Sequence, residues 1–151
     1  MKQNMIRHFL SLHKNGGRMF KSSLNENEIL LCDGYLFFIQ DKSKMLLNEN
    51  IFKELTYETE EKNIFLKFIN CENYEEARIA CYLPTYRKNK YRVLLKSENI
   101  KVILNKDYLD LFDYEKLEIK NDVETVKVYD SKGKLLGGIL PIKCADSVYE
   151  I

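Results

Sequence analysis

The sequence predicts an α+β fold with a mostly antiparallel sheet and short helices. Candidate strands outnumber candidate helices along the 151 residues. Two turn signals, Asp33-Gly34 and the run 130–133, each separate a pair of apolar segments. Aspartate with glycine at such a point is typical of hairpins between antiparallel strands. With 45% hydrophobic and 31% charged residues, the chain can bury a core and keep a solvated surface. We expect a single domain over residues 1–151, or two small halves that share one core.

The first predicted element is an amphipathic helix that begins after Asn4. Its apolar residues recur three and four positions apart, which places them on one face; they are Met5, Ile6, Phe9, Leu10 and Leu12. The short side chain of Asn4 can accept hydrogen bonds from the free N–H groups of a first helical turn. Gly16-Gly17 ends the helix, because glycine adopts the left-handed conformation common at helix C-termini.

The remaining apolar segments predict strands. Residues 29–39 form the most apolar stretch, which Asp33-Gly34 divides into a hairpin; a single strand with a bulge is the alternative. The run Asp130-Ser131-Lys132-Gly133 predicts a second hairpin. The other strand candidates are residues 19–21, 63–69, 77–83, 91–95, 117–119, 123–129 and 135–142.

An internal repeat is the most informative pattern in the chain. Residues 45–55 align with residues 102–112: each segment has three apolar residues of a strand, an asparagine at a cap position (Asn48 or Asn105) and a short helix. At the same offset, 82–84 aligns with 139–141, and both segments end in Leu-Pro. We therefore predict two related units over residues 45–84 and 102–141. The alternative is two unrelated capped helices.

Charge and cysteine content restrict the class of protein. The 24 basic and 23 acidic residues leave a net charge of +1, so nucleic-acid contact would have to rest on local clusters. No stretch of about 20 apolar residues could span a bilayer, and the N-terminus has no uninterrupted apolar segment of an export signal. The four cysteines show no C-x-x-C spacing. We expect a cytoplasmic protein with free thiols and no membrane contact.

No catalytic constellation can be recognised in the sequence. Only His8 and His13 could serve as histidine bases, and their spacing places them on different faces of one helix. Two acidic clusters could hold magnesium as in nucleases, although a solvated helix face is the alternative for the second; they are Glu58, Glu60, Glu61 and Asp107, Asp110, Asp113, Glu115. We expect no enzyme activity, no metal and no cofactor.

Basic side chains cluster in two places. The run 86–92 combines Tyr86 with four cations, and the first helix region adds three more. Clustered cations beside aromatic rings can bind phosphates and stack on bases; a charged connecting loop is the alternative. The candidate nucleic-acid-binding residues are Arg7, Lys14, Arg18, Arg87, Lys88, Lys90 and Arg92.

Two motifs resemble those of the bacterial DNA polymerase sliding clamp family, including clamp-like phage proteins. The first is the strand motif with Asp-Gly in Leu31-Cys32-Asp33-Gly34-Tyr35-Leu36-Phe37. The second is an Asn-x-x-Tyr-Leu helix at 105–109 that leads to the ending Leu140-Pro141-Ile142-Lys143. The resemblance implies a non-enzymatic role, with helices that face DNA and an apolar cleft that accepts peptides of protein partners. Carried over by position, the residues of that cleft are Gly34, Tyr35, Leu36, Phe37, Leu140, Pro141 and Ile142.

The chain also departs from that family. A bacterial clamp chain has three domains and closes a ring as a dimer, whereas 151 residues correspond to about one domain. Encirclement of DNA would therefore need a homo-oligomer. In the family the two cleft segments come from neighbouring domains, but here they belong to one chain.

Three functions follow as hypotheses. The first is a clamp-like, non-catalytic interaction domain of phage or mobile-element type that acts in DNA replication or repair. The second is a small inhibitor of a host nuclease or defence protein that imitates DNA with an acidic helix over residues 107–115. The third is a metal-dependent nuclease that uses the acidic clusters.

Overall fold

The computed structural model describes residues 1–57 and 63–151. Within those residues it contains three α-helices and ten strands, and the strands of each unit pair antiparallel except β1 (Phe20–Ser23) with β4 (Lys53–Glu54). The predicted α+β class with mostly antiparallel strands is confirmed. The chain divides into two compact units, Met1–Glu72 and Asn73–Ile151. The prediction of one domain over residues 1–151 stays a prediction, since two packing units can belong to one domain.

The first unit is a four-stranded sheet with two helices. Its strand order is β4-β1-β2-β3, and the predicted hairpin at Asp33-Gly34 joins β2 to β3. Short 3-10 helices cover Lys42–Lys44 and Glu49–Ile51. The remaining elements are α1 (Gln3–Lys14), β2 (Glu28–Cys32), β3 (Leu36–Asp41) and α2 (Ile64–Asn70).

Helix α2 covers one face of this sheet with aromatic side chains. Phe65 joins the buried cluster of Leu30, Cys32 and Phe37. The ring of Phe37 lies 5.3 Å from that of Phe65 and 4.8 Å from that of Phe68, both edge to face, which is the preferred geometry of aromatic pairs. The middle of β3 is thus part of the core.

The second unit is built from six strands in the order β10-β9-β8-β5-β6-β7. Strand β5 pairs with β8 through Glu75–Ala77 and with β6 through Arg78–Pro84, with a register shift between Ile79 and Cys81. A 3-10 helix covers Asp146–Glu150. The elements are β5 (Glu75–Pro84), β6 (Tyr91–Lys96), β7 (Lys101–Asn105), α3 (Lys106–Leu109), β8 (Lys116–Ile119), β9 (Val126–Tyr129) and β10 (Leu135–Ile139).

Both predicted hairpin turns are present, and glycine is required in each. Gly34 has a φ of 95° and Gly133 a φ of 79°, a region that side chains with a Cβ rarely adopt. The aspartate of each turn accepts two backbone hydrogen bonds: Asp33 from Tyr35 and Leu36, and Asp130 from Lys132 and Lys134.

Besides the strand at residues 45–47, which is discussed with the repeat below, three local predictions are wrong. Residues 63–69 form no strand; they contain helix α2, which begins because the Asn63 side chain accepts hydrogen bonds from the N–H groups of Phe65 and Leu66. Asn4 does not cap α1, since the helix already begins at Gln3. The acidic segment 107–115 is a helix only as far as Leu109, after which the chain turns.

The two stretches of the predicted repeat share their asparagine caps. Asn48 accepts a hydrogen bond from the N–H of Asn50, and Asn105 accepts one from the N–H of Asp107. Residues 102–104 lie in β7, whereas residues 45–47 form no strand, so the strand predicted there is wrong. The stretch 45–84 also crosses the division between the two units. The kinship of 45–84 and 102–141 as whole units stays a prediction.

Candidate functional site

The β5–β6 hairpin carries the basic run that the sequence singled out. Its loop is closed by hydrogen bonds from the Thr85 N–H to the Lys90 carbonyl and from the Lys90 N–H to the Arg87 carbonyl, at 3.1 and 3.2 Å. At the tip, Tyr86 is 90% exposed, and the Arg87 guanidinium carbon lies 5.6 Å from the centre of its ring. The loop therefore presents an aromatic ring and cations to solvent.

Two further tyrosines of the same hairpin are exposed. Tyr82 is 52% exposed and Tyr91 is 41% exposed. Tyr82 pairs with Val93, and Pro84 pairs with Tyr91. Because paired residues and residues two apart share a face of a sheet, Tyr82 and Tyr91 are diagonal neighbours on one face, about 7–8 Å apart. The basic run of the sequence includes Tyr86 and Tyr91, whereas Tyr82 joins them only through the strand register.

Acidic residues of α3 neutralise part of this charge. Lys90 Nζ lies 2.8 Å from Asp107 Oδ2, and Lys106 Nζ lies 2.6 Å from Asp110 Oδ2. The hydrogen bond to Asp110 raises the pKa of Lys106. Lys106 Nζ also lies 5.7 Å from the centre of the Tyr82 ring. In this surface the two aspartates act as partners of lysines.

The remaining cations of the basic run are in different settings. Arg92 donates a hydrogen bond to the Cys144 sulfur at 3.6 Å and is half-buried. Arg87 and Lys88 are exposed at the tip. Of the four predicted contacts in this hairpin, these two are the best placed to meet a phosphate.

The exposed face of α1 is the second basic surface. Arg7 and Lys14 are exposed and seven residues apart, which places them on the same face of the helix. Exposed Leu10 lies between them, and exposed Arg18 follows the helix. Residues 1–25 contain no aspartate or glutamate. The cations of this surface therefore have no acidic residue near them in the sequence until residue 26.

The residues assigned to a peptide cleft by family resemblance have different exposures. Leu36 and Phe37 are buried in the first unit, whereas Gly34 and Tyr35 are exposed at the turn before them. In the second unit Leu140 is exposed, and Pro141 and Ile142 are half-buried. The Ile142 N–H donates a hydrogen bond to the Ile103 carbonyl of β7. Phe37 is thus a core residue of its own unit.

His8 has a structural partner that the sequence did not reveal. Its Nε2 lies 2.7 Å from Oδ2 of Asp33, whose side chain is 3% exposed. The carboxylate also accepts from the N–H groups of Tyr35 and Leu36 at 2.8 and 2.9 Å. This histidine therefore fastens α1 to the β2–β3 turn. His13, at the end of α1, is exposed.

The thiols and the acidic clusters were the remaining candidates for a reactive or metal-binding site. All four cysteines are free, and burial raises the pKa of the Cys32 thiol, which disfavours the nucleophilic thiolate. In residues 1–57 and 63–151 no three histidine, cysteine or acidic side chains are grouped so that they could hold a metal. The cluster Glu58, Glu60 and Glu61 lies outside the described residues.

An open cleft of about 530 Å³ lies in the second unit. The β6–β7 turn, the β8–β9 loop and the C-terminal 3-10 helix line it, and its charged side chains have both signs: Glu98, Lys101, Lys120, Asp122 and Asp146. Lys101 already has a hydrogen-bond partner in the lining of the cleft, because its Nζ donates to the Tyr149 carbonyl at 2.5 Å. This mixture does not favour one charge of ligand.

The raised pKa of Tyr129, on β9, leads us to expect that the stability of the protein depends on pH. Burial, together with a hydrogen bond to Glu118, raises its pKa to about 12, above the value of about 10 for an unfolded chain. The folded state thus holds this proton more tightly, so stability falls as pH rises from about 10 towards about 12. We expect urea midpoints of Tyr129→Phe to fall less steeply with pH over the accessible part of this range. Equal slopes in variant and parent would contradict the prediction.

Comparisons with known proteins do not assign the chain to a family, so its class is defined by the fold alone. No protein-family model matches the chain, and neither curated proteins nor solved structures gave a match. The structure defines an α+β protein with mostly antiparallel strands. In the part of the chain that the structure describes, no helix is long and apolar enough to cross a membrane.

Proposed function

We propose that the protein is a non-catalytic, clamp-like interaction domain of phage type that contacts nucleic acid during DNA replication or repair. The observation that carries this proposal is the exposed basic face of α1, within a segment of 25 residues that has no acidic side chain. The Asp-Gly and Leu-Pro motifs that resemble the sliding clamp family add the expectation of a role in replication. The chain itself performs no chemistry in this role.

The geometry of α1 suits a phosphate backbone. Seven residues of helix separate Arg7 from Lys14, which is about 10 Å along the helix axis. Duplex DNA carries one negative charge per about 1.7 Å of its length, so both cations can meet phosphates of one segment. Binding of this kind releases counterions and weakens with salt. We therefore expect the association to be independent of sequence and dependent on salt.

The test is the salt dependence of binding to duplex DNA, measured by fluorescence anisotropy. The double variant Arg7→Gln/Lys14→Gln should bind more weakly, and its slope of log K against log salt should be smaller by about 2, since each lost phosphate contact removes about 0.9. Lys44→Gln/Lys67→Gln removes two exposed cations of the same unit that do not belong to α1 and should match the parent.

Two results would count against the proposal. The first is a parent protein that shows no salt-dependent association with DNA. The second is a control variant that loses as much affinity as the α1 variant.

Light scattering of the protein with and without DNA tests whether it binds as a monomer or as an oligomer. A multiple of the 17.9 kDa chain mass is expected for a ring, and a strict monomer would restrict the proposal to binding without encirclement.

A further inference from the structure

We propose that the β5–β6 hairpin is a binding site for single-stranded nucleic acid, in which exposed tyrosine rings stack on unpaired bases. The inference rests on the proposed function in one respect, that the ligand is nucleic acid. It concerns a surface of the second unit and a ligand without base pairs. The ring-bearing residues, called the tyrosine row below, are Tyr82, Tyr86 and Tyr91.

The exposure of the tyrosine row is the first step. A tyrosine ring is mostly apolar, and such rings are usually covered in cores or interfaces. Here one hairpin exposes three of them, Tyr82 at 52%, Tyr86 at 90% and Tyr91 at 41%. A contiguous set of exposed rings with polar rims marks a binding surface more often than single exposed residues do.

The order of the rings along the hairpin is the second step. Tyr82 and Tyr91 share one face, with Tyr91 opposite Pro84 and therefore two residues nearer the tip. Two residues of a strand advance by about 6.6 Å. Tyr86 stands beyond the end of the strands, in the loop. The rings thus follow the hairpin towards its tip, as successive platforms for successive bases would.

Charge at the tip favours nucleic acid over a protein segment. Residues 85–92 contain Arg87, Lys88, Lys90 and Arg92 and no acidic residue. Two rings have a cation within 6 Å, Arg87 at Tyr86 and Lys106 at Tyr82. The carboxylates of α3 are paired with Lys90 and Lys106. A tip that carries cations and aromatic rings suits both the phosphates and the bases of a nucleic acid.

Stacking also selects the strandedness of the ligand. In a duplex the faces of the bases already stack on one another, whereas unpaired bases can be placed on aromatic side chains. The chemistry is shared by single-stranded DNA and RNA. Oligodeoxythymidylate and oligouridylate of equal length are therefore separate arms of the test, and an advantage of one over the other would identify the source.

The experiment measures anisotropy of labelled oligodeoxythymidylate, oligouridylate and an abasic strand of equal length and charge, and of a duplex of the same length, which carries the phosphates of two strands. Since stacking contributes about 1–3 kcal/mol per base, we expect the abasic strand to bind at least about five-fold more weakly. Tyr86→Leu should lose about five-fold or more for strands with bases and little for the abasic strand. Tyr86→Phe should retain most affinity, because it keeps a ring. Val123→Ala, at an apolar residue of the same unit that is 65% exposed and lies outside this hairpin, is the control.

The outcomes separate this inference from the proposed function. Equal affinity for abasic and base-containing strands, or equal loss in Tyr86→Leu and Val123→Ala, overturns the stacking site even where the α1 variants still weaken duplex binding. Base-dependent binding of single strands, together with duplex binding that Arg7→Gln/Lys14→Gln leaves unchanged, supports the stacking site while the proposed role of α1 fails. Absence of binding to every oligonucleotide overturns both. A protein that competes for the tip, without base-dependent binding, would make the hairpin a protein interface.

Discussion

Replacing Asp33 by alanine is expected to lower the free energy of unfolding by about 3 kcal/mol or more. The carboxylate is buried and accepts hydrogen bonds from the N–H groups of Tyr35 and Leu36 and from His8. A hydrogen bond to a charged group contributes about 1.5–3 kcal/mol, and donors left buried without an acceptor add a desolvation cost. Urea unfolding followed by far-ultraviolet circular dichroism measures the loss.

Asp130→Ala is the matched control for this effect. Asp130 also accepts two backbone hydrogen bonds in a hairpin turn, at 2.9 Å each, but it is half-buried and water can replace it. We expect a loss of about 1 kcal/mol there. A double-mutant cycle between His8 and Asp33 should give a coupling energy of about 0.5–3 kcal/mol, as for residues in contact. Equal losses at the two aspartates, with no coupling to His8, would show that burial of the pair does not stabilise the turn.

The Asp33 turn illustrates what local sequence can predict. The hairpin was predictable because Gly34 permits a positive φ and aspartate accepts hydrogen bonds from the next residues, and both are properties of neighbours in the chain. The contact with His8 bridges 25 positions. It depends on where α1 packs, and no short motif encodes that position. The sequence therefore indicates only that His8 and His13 lie on different faces of one helix.

Residues 63–69 show where periodicity is ambiguous. The segment is a short apolar run with isoleucine and phenylalanine, residues that favour strands, and such runs can form either a strand or a buried helix. The helix is decided by Asn63, which caps it, and by the packing of Phe65 and Phe68 on Phe37. The surface that receives the two rings is formed by residues distant in the sequence.

The sequence predicts the charged residues of the candidate site but only part of its geometry. The cations of the β5–β6 loop and of α1 are adjacent or periodic in the sequence, so both basic surfaces could be named. The shared face of Tyr82 and Tyr91 depends on the pairing of β5 with β6 beyond the register shift near Cys81. The Lys90 partner of Asp107 depends equally on where α3 lies, whereas Lys106 and Asp110 are four residues apart in the sequence.

Replacing Phe37 by alanine is expected to destabilise the protein by about 3–5 kcal/mol. The residue is 6% exposed and lies in one cluster with Leu30 and Phe65. Truncation of a buried phenylalanine removes apolar contacts and leaves a cavity, at a cost of about 3–5 kcal/mol. The loss of edge-to-face contacts with Phe65 and Phe68 adds to that cost. Urea unfolding again measures the change.

Tyr35→Ala provides the comparison, because Tyr35 belongs to the same motif but is 62% exposed. Its change in stability should stay within about 0.5 kcal/mol, as for most surface substitutions. A residue that only lined an open cleft would behave like Tyr35 and lose partner binding without losing stability. A Phe37→Ala variant as stable as the parent would therefore assign Phe37 to such a surface. A large loss would leave Tyr35 as the residue of this turn whose exposure allows a contact with a partner.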